Sequence, residues 1–383
     1  MSDVLTTLFD DYDRGRLSRR RLLQALGVAM AVRPAMAFAQ GSCGGARAGT
    51  PECNTTPAKL PFESTGWKTV LLDHFSMQVA DYQKEAAYFA ALMNWKIRSD
   101  DGKQAVLDIG DWGGLVIRGG YAPPAPAAPP PAPTTPPVGG DPAAAGRGAG
   151  RGGGAARGPR LAVFDSFCWG IEPWDARKVE AELRKRGLTP IADNDPKTKF
   201  ESFHIKDADG FDLRISNGNM KNRRQGPANG KTAAPPPFAA TAWKTVWLDH
   251  ISFETSNYKE QVAFYNALLG WKPGVDEGSQ NQVQIGDIGD AIVRRGGGGG
   301  RAGGATPATP PPRRAQIGHI AFGITPFDPD AVKAELDKRS LTGRADTGGK
   351  GDIHEAAYKS YHTTTPNGFD LQISNVSKTT RGT

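Results

Sequence analysis

The chain has 383 residues, is 38% hydrophobic and contains 48 glycines and 30 prolines, so packed cores must alternate with stretches too poor in apolar side chains to fold. Its formal net charge is +7, but arginines cluster near the N-terminus (Arg19, Arg20, Arg21) and in a Gly/Pro-rich stretch (Arg147, Arg151, Arg157, Arg160). No basic face interleaved with aromatics results, and no nucleic-acid partner is expected. The Gly-rich runs lack the Lys-Ser/Thr ending that cradles phosphates, so no nucleotide cofactor is expected either.

Residues 1–40 read as a targeting segment. Ser18-Arg19-Arg20-Arg21-Leu22-Leu23-Gln24 resembles a twin-arginine export signal, residues 22–31 are apolar, and Ala35-Met36-Ala37 and Ala37-Phe38-Ala39 are small-x-small cleavage candidates. The competing reading is a basic amphipathic helix. The apolar run is too short to span a bilayer. An exported, periplasmic protein that meets the membrane only through its leader is the expectation, and twin-arginine export favours a site filled before translocation. Residues 41–66 form a Gly/Pro-rich segment in which Cys43 and Cys53 are either a small disulfide or two exposed thiols. Cys168, in an apolar strand, reads as a core residue.

From residue 67 onward the chain repeats itself. WKTVLLDHFS (67–76) recurs as WKTVWLDHIS (243–252), and IGDWGGLVIR (109–118) as IGDIGDAIVR (285–294). Likewise 171–188 recurs as 324–341, and SFHIKDADGFDLRISN (202–217) as SYHTTTPNGFDLQISN (360–375). Each unit also halves. In the first, a strand at 71–79 precedes a helix at 82–93 with Tyr82, Ala86, Phe89 and Met93 on one face, then short strands at 95–98, 105–109 and 115–118. The second half repeats the order, with a strand at 161–170, a helix at 176–186 and strands through 215. The grammar is β-α-β-β-β, four times over, an α+β protein.

The domain plan is therefore a first domain at 67–217, a linker at 218–240 and a second domain at 241–376. An insertion at 121–160, with 11 Pro and 9 Gly in 40 residues, interrupts the first domain. A shorter one, 296–314, interrupts the second.

The last strand pair carries the chemistry. Residues 359–364 are aromatic and β-branched, Pro366-Asn367-Gly368 is a turn, and 369–374 alternates, placing Phe369, Leu371 and Ile373 on one face and Asp370, Gln372 and Ser374 on the other. Gln372 thus leaves the polar side of a strand close in sequence to His354 and His362. By the same alternation Asp73 and Asp249 face away from His74 and His250, which follow them.

A paired βαβββ unit, with a His on a first strand and a ligand on a last strand, resembles the vicinal oxygen chelate superfamily. That group comprises glyoxalase I, bleomycin-resistance proteins and extradiol ring-cleaving dioxygenases. The run from the His through an aromatic strand to T-P-N-G-F and then Gln372 resembles the extradiol signature. The resemblance implies a tandem two-domain protein with a divalent metal, Fe(II), Mn(II) or Zn(II), held in the second domain by His250, His319 and Gln372. A Gln stands where the family has a carboxylate, and Glu355 is the alternative carboxylate. His354 would be the proton acceptor and His362 a hydrogen-bond partner of the substrate, unless His362, like its repeat counterpart His204, serves strand packing.

In the first domain the corresponding positions are His74, Ser166 and Arg214, with Arg118 on an intermediate strand; they suit an anion better than a cation. Arg294, the counterpart of Arg118, takes the place of a glyoxalase I Glu ligand and would bind a substrate carboxylate. The implied function is metal-dependent dioxygenase or lyase chemistry on a small oxygenated or catechol-like substrate. The alternative is a metal-free small-molecule binding protein of the bleomycin-resistance type. Oligomeric state is not readable from these residues.

Overall fold

The computed structural model describes residues 56–123, 160–222, 230–296, 315–349 and 351–381. The leader expected in 1–40, Cys43, Cys53 and most of both Gly/Pro insertions lie outside the described residues. Among the described residues no helix is long and apolar enough to cross a membrane.

Four βαβββ modules follow one another. The first is β1 (Lys68–Val79), α1 (Tyr82–Leu92), β2 (Lys96–Asp100), β3 (Gln104–Ile109) and β4 (Gly113–Arg118). The second is β5 (Ala162–Glu172), α2 (Ala176–Lys185), β6 (Ile191–Ala192), β7 (Ser202–Lys206) and β8 (Asp212–Ser216). The third is β9 (Lys244–Thr255), α3 (Tyr258–Leu269), β10 (Lys272–Asp276), β11 (Gln280–Ile285) and β12 (Gly289–Arg295). The fourth is β13 (Gln316–Thr325), α4 (Pro329–Lys338), β14 (Arg344–Asp346), β15 (Ser360–Thr364) and β16 (Asp370–Ser374). Each helix starts where a short polar side chain accepts the backbone N–H three residues on: Asp81 from Lys84, Asp175 from Lys178, Asn257 from Glu260 and Asp328 from Ala331.

The strands build two eight-stranded sheets of identical order, β2-β3-β4-β1-β5-β8-β7-β6 and β10-β11-β12-β9-β13-β16-β15-β14. In each sheet the two modules join antiparallel through their first strands, β1 with β5 and β9 with β13, while each first strand runs parallel to its own module's last. One face of each sheet is apolar, built in the second from Ile251, Phe253, Ile320, Phe322, Leu371 and Ile373, all buried. The other face is polar.

The apolar faces meet through α1 and α3. Phe89 of α1 stacks on Trp95 at 5.0 Å, and Trp95 stands edge-on to Phe322 of the second sheet. The repeat reproduces this: Tyr265 of α3 stacks on Trp271 at 4.5 Å, which stands edge-on to Trp169 of the first sheet. The two indoles also cross-link the halves, Trp95 Nε1 donating to Thr245 Oγ1 (2.8 Å) and Trp271 Nε1 to Thr69 Oγ1 (2.9 Å).

A buried carboxylate completes each contact, on opposite partners. Glu85 of α1 accepts from the backbone N and Nδ2 of Asn367, in the β15–β16 turn. At the equivalent junction Gln261 of α3 donates to Asp207, in the β7–β8 turn, which also accepts from Tyr265 Oη at 2.9 Å. Burial raises the carboxyl pKa of both Glu85 and Asp207, the latter to about 6.

Candidate functional site

Strand register assembles the polar face of the second sheet. His250 on β9 pairs with Ala321 on β13, Ala321 with Gln372 on β16, Gln372 with His362 on β15, and His362 with Arg344 on β14. One row along, Ser252 pairs with His319, and His319 with Asp370. Residues in lateral register point to one face, and positions two apart share it. Three imidazoles, Gln372 and Asp370 therefore stand together, with only the methyl of Ala321 between His250 and Gln372.

The alternation expected for Asp249 fails at this point. The register steps from Ala321↔His250 to Phe322↔Leu248, so Asp249 is the extra residue of a β-bulge. The bulge turns its carboxylate back toward its neighbour, and Asp249 Oδ1 lies 3.1 Å from His250 Nδ1. The same irregularity at Asp73 brings Asp73 Oδ1 to 2.6 Å from His74 Nδ1. Both aspartates orient a histidine. Neither faces away.

Hydrogen-bond accounting then fixes which atoms face the site. A carboxylate only accepts, so His250 Nδ1 carries a proton, and Nε2 is the nitrogen turned to the site. That Nε2 is 3.0 Å from His319 Nε2. Burial, reinforced by the nearby His250 and His362, lowers the His319 pKa to about 2, so the ring is neutral at any ordinary pH. Asp249 is buried; desolvation would raise its pKa, but the adjoining His250 and the hydroxyls of Ser374 and Tyr358 outweigh it and hold it low.

Gln372 is oriented as firmly. Tyr358 Oη donates to Asp249 Oδ2 (3.1 Å), and Ser360 Oγ donates to the Asp346 carbonyl (2.8 Å). Each hydroxyl has one hydrogen, so both can only accept from Gln372, whose Nε2 lies 2.8 Å from Tyr358 Oη and 2.7 Å from Ser360 Oγ. Burial, then the charge of Asp249, raises the Tyr358 pKa and keeps that proton in place. The other amide atom, Gln372 Oε1, is buried with no hydrogen-bond partner. An orphaned carbonyl oxygen in the row of His250 is a lone pair without a proton to meet, and suits a cation.

His362 is held differently. Its Nδ1 is 2.8 Å from Asp370 Oδ1 and its Nε2 is 3.1 Å from Asp346 Oδ2. Burial alone would lower its pKa, but the two carboxylate bonds outweigh it and raise it, and both ring nitrogens are engaged by carboxylates. The hydrogen bond from His362 in turn depresses the pKa of Asp346. His319, His362 and Asp370 place ligand-type atoms within 4.8 Å of one another. A ring that donates from both nitrogens is nonetheless no metal ligand, and no hydrogen of His362 is left for a substrate. The repeat counterpart His204 is bound the same way, to Asp212 at 2.9 Å and Asp193 at 3.3 Å.

The remaining expected residues fall elsewhere. His354 is exposed in the loop before β15, with Nε2 3.7 Å from Asp330 of α4, and does not join the histidine group. Glu355 is exposed beside it. Arg118 is paired with Asp165, and Arg214 with Asp193 and Ser202 Oγ, so neither guanidinium awaits an anion. Arg294 on β12 is different. Its Nε is buried without a partner, and Glu254, Glu277 and Asp346 act on it only through their charge. Among the described residues this is a guanidinium with spare donors on the face that carries the histidines.

Tyr358, Ser360 and Asp346 were not foreseen from the sequence, and Asp370 was placed on the polar face without a partner. One signal was present: a His followed eight residues later by an Asp, at 204/212 and at 362/370. The Asp-His pairs were visible but misdirected, because alternation cannot foresee a bulge.

No protein-family model matches the sequence, and no curated protein matches it. Solved structures do. The 2,3-dioxygenase LapB from Pseudomonas sp. KL28 superposes with TM-score 0.50 at 12% identity, over 80% of this chain and 92% of that one. A variant of homoprotocatechuate 2,3-dioxygenase from Brevibacterium fuscum gives TM-score 0.50 at 14% identity, over 85% and 75%. A Mn(II)-bound glyoxalase from Novosphingobium aromaticivorans gives TM-score 0.48 at 13% identity, over 80% and 82%. At such identities the likeness is one of fold: four βαβββ modules paired into two glyoxalase/dioxygenase-like domains, the vicinal oxygen chelate fold.

Proposed function

We propose that this chain is a divalent-metal-dependent enzyme of the vicinal oxygen chelate type, acting on a small anionic oxygenated substrate at the polar face of its second domain. The observation that carries this reading is the meeting of His250 Nε2 and His319 Nε2 at 3.0 Å, with Gln372, whose Oε1 has no partner, in the same lateral row as His250. Those three atoms would hold Fe(II), Mn(II) or Zn(II). When bound, the metal would polarise two adjacent substrate oxygens as a Lewis acid.

The chain's own groups do the rest. Asp249 presents the His250 Nε2, while Tyr358 and Ser360 aim the Gln372 carbonyl. All three ligands are neutral, so the cation's charge stays uncompensated by its ligands, and His362 adds a positive charge held by Asp346 and Asp370. A site of that balance favours an anion, such as a catecholate or an aromatic carboxylate, and Arg294 offers the donors to meet a carboxylate. His354 takes no part. The twin-arginine-like leader adds a proposal of export with metal already loaded.

Metal analysis of purified protein, repeated on His250→Ala and His319→Ala, tests the reading. Bound divalent metal lost in both variants supports it; metal content indifferent to both overturns it.

A further inference from the structure

The first domain is more than a duplicate without its histidine pair. On its polar face the row equivalent to His250–Ala321–Gln372–His362 reads His74–Cys168–Arg214–His204. A thiol stands where the second domain has a methyl. His74 and Cys168 are direct register partners on β1 and β5, and the bulge at Asp73 places its carboxylate on the same histidine. Ligand-type atoms of Asp73, His74 and Cys168 all lie within 4.8 Å of one another. Cys168 is fully buried and the His74 side chain is 12% exposed.

We propose that Cys168 and His74, with Asp73 behind the imidazole, form a second cation site selective for thiophilic divalent metals of the Zn(II) and Co(II) class. Asp73 Oδ1 accepts from His74 Nδ1, which leaves Nε2 as the metal-facing nitrogen, as Asp249 does for His250. A carboxylate–histidine–metal arrangement of this kind orients the ring and strengthens it as a donor. Tetrahedral Zn(II) takes thiolate sulfur at about 2.3 Å and imidazole nitrogen at about 2.0–2.1 Å, so two ligand atoms on one ion sit roughly 3.5 Å apart. Ligand-type atoms of the two side chains start within 4.8 Å of each other. Solvent or a small anion would complete the coordination.

Among the described residues the cations of this face are paired with carboxylates. Arg214 is neutralised by Asp193, Arg118 by Asp165, and His204 lies between Asp193 and Asp212. Binding expels the thiol proton to solvent, so uptake releases protons and weakens as pH falls. Thiolate sulfur separates this site in metal preference from the N,N,O set of the second domain.

Co(II) is the probe, because a thiolate ligand gives it a near-ultraviolet charge-transfer band that nitrogen and oxygen ligands do not. The test uses the full chain with Cys43→Ser and Cys53→Ser, so that Cys168 is the one remaining thiol, and with His250→Ala and His319→Ala, so that the second-domain site is removed. We expect one equivalent of Co(II) with a charge-transfer band. Cys168→Ser should abolish the band, and Asp73→Asn should weaken binding about 10–100-fold. His74→Ala, checked for folding by circular dichroism, should weaken it at least as much. No band in the starting variant, or a band unchanged by His74→Ala in folded protein, overturns the proposal without touching the reading of the second domain.

Discussion

His250 Nε2 and His319 Nε2 lie 3.0 Å apart although 69 residues separate them in the chain. Antiparallel pairing of β9 with β13 sets that distance, since the registered pairs Ala321↔His250 and His319↔Ser252 put both rings on one face in adjacent rows. The contact is a property of the module junction and does not depend on loops.

Tyr358 supports both ends of the candidate centre, donating to Asp249 and accepting from Gln372. Tyr358→Phe removes both bonds and keeps the ring. Mn(II) affinity, measured by calorimetry, should fall about 10–100-fold while the protein stays folded. An unchanged affinity would remove Tyr358 and its hydrogen-bond chain from the account.

Arg294 has a different signature. Its guanidinium carries a buried Nε without a partner, so Arg294→Ala should not lower the melting temperature. It should weaken binding of 3,4-dihydroxybenzoate roughly 10–100-fold, the value of a charged hydrogen bond, and leave catechol binding unaltered. Equal losses for both ligands would contradict a carboxylate-binding role.

The buried carboxylate at the domain junction predicts a pH effect on stability. Burial raises the Asp207 pKa from the ordinary 3.8 to about 6. An acid raised in the folded state stabilises it in protonated form, so this contribution is fully present below about pH 4 and is lost as pH rises through 6. The loss is roughly 3 kcal/mol at about 1.36 kcal/mol per unit. Asp207→Asn has no such titration. Urea unfolding of both proteins from pH 4 to pH 7 should show wild type losing about 3 kcal/mol relative to the variant; a constant difference would place the proton elsewhere.

His354 provides the contrast. Its exposed contact with Asp330 is a surface pair worth about 0–1 kcal/mol, and it touches none of the other histidines. His354→Ala should leave metal affinity and catalytic rate unaltered. A collapse in rate would restore the proton-acceptor role that its place in the sequence suggested.

The module order, its fourfold repetition and the strand faces of Phe369, Leu371 and Ile373 were legible because they rest on period and repeat. The polar side of Gln372 followed from alternation, whereas His250 and His319 were named beside it only by resemblance to a family. What escaped depends on local departures from period. Asp249 and Asp73 needed a bulge to reach their histidines, and no propensity announces a bulge. His354 was misplaced because nearness in the chain says little about where a loop residue sits. His362 was seen, but the two carboxylates that engage it come from β14 and β16, and only tertiary pairing brings both to one ring.

Metal stoichiometry in the Cys168→Ser background, where the first-domain thiol cannot contribute, tests the centre most directly. One divalent ion per chain is expected in that protein, lost on adding His250→Ala or His319→Ala and retained on adding His354→Ala. Protein that holds no ion, or an ion that survives both histidine substitutions, would contradict it.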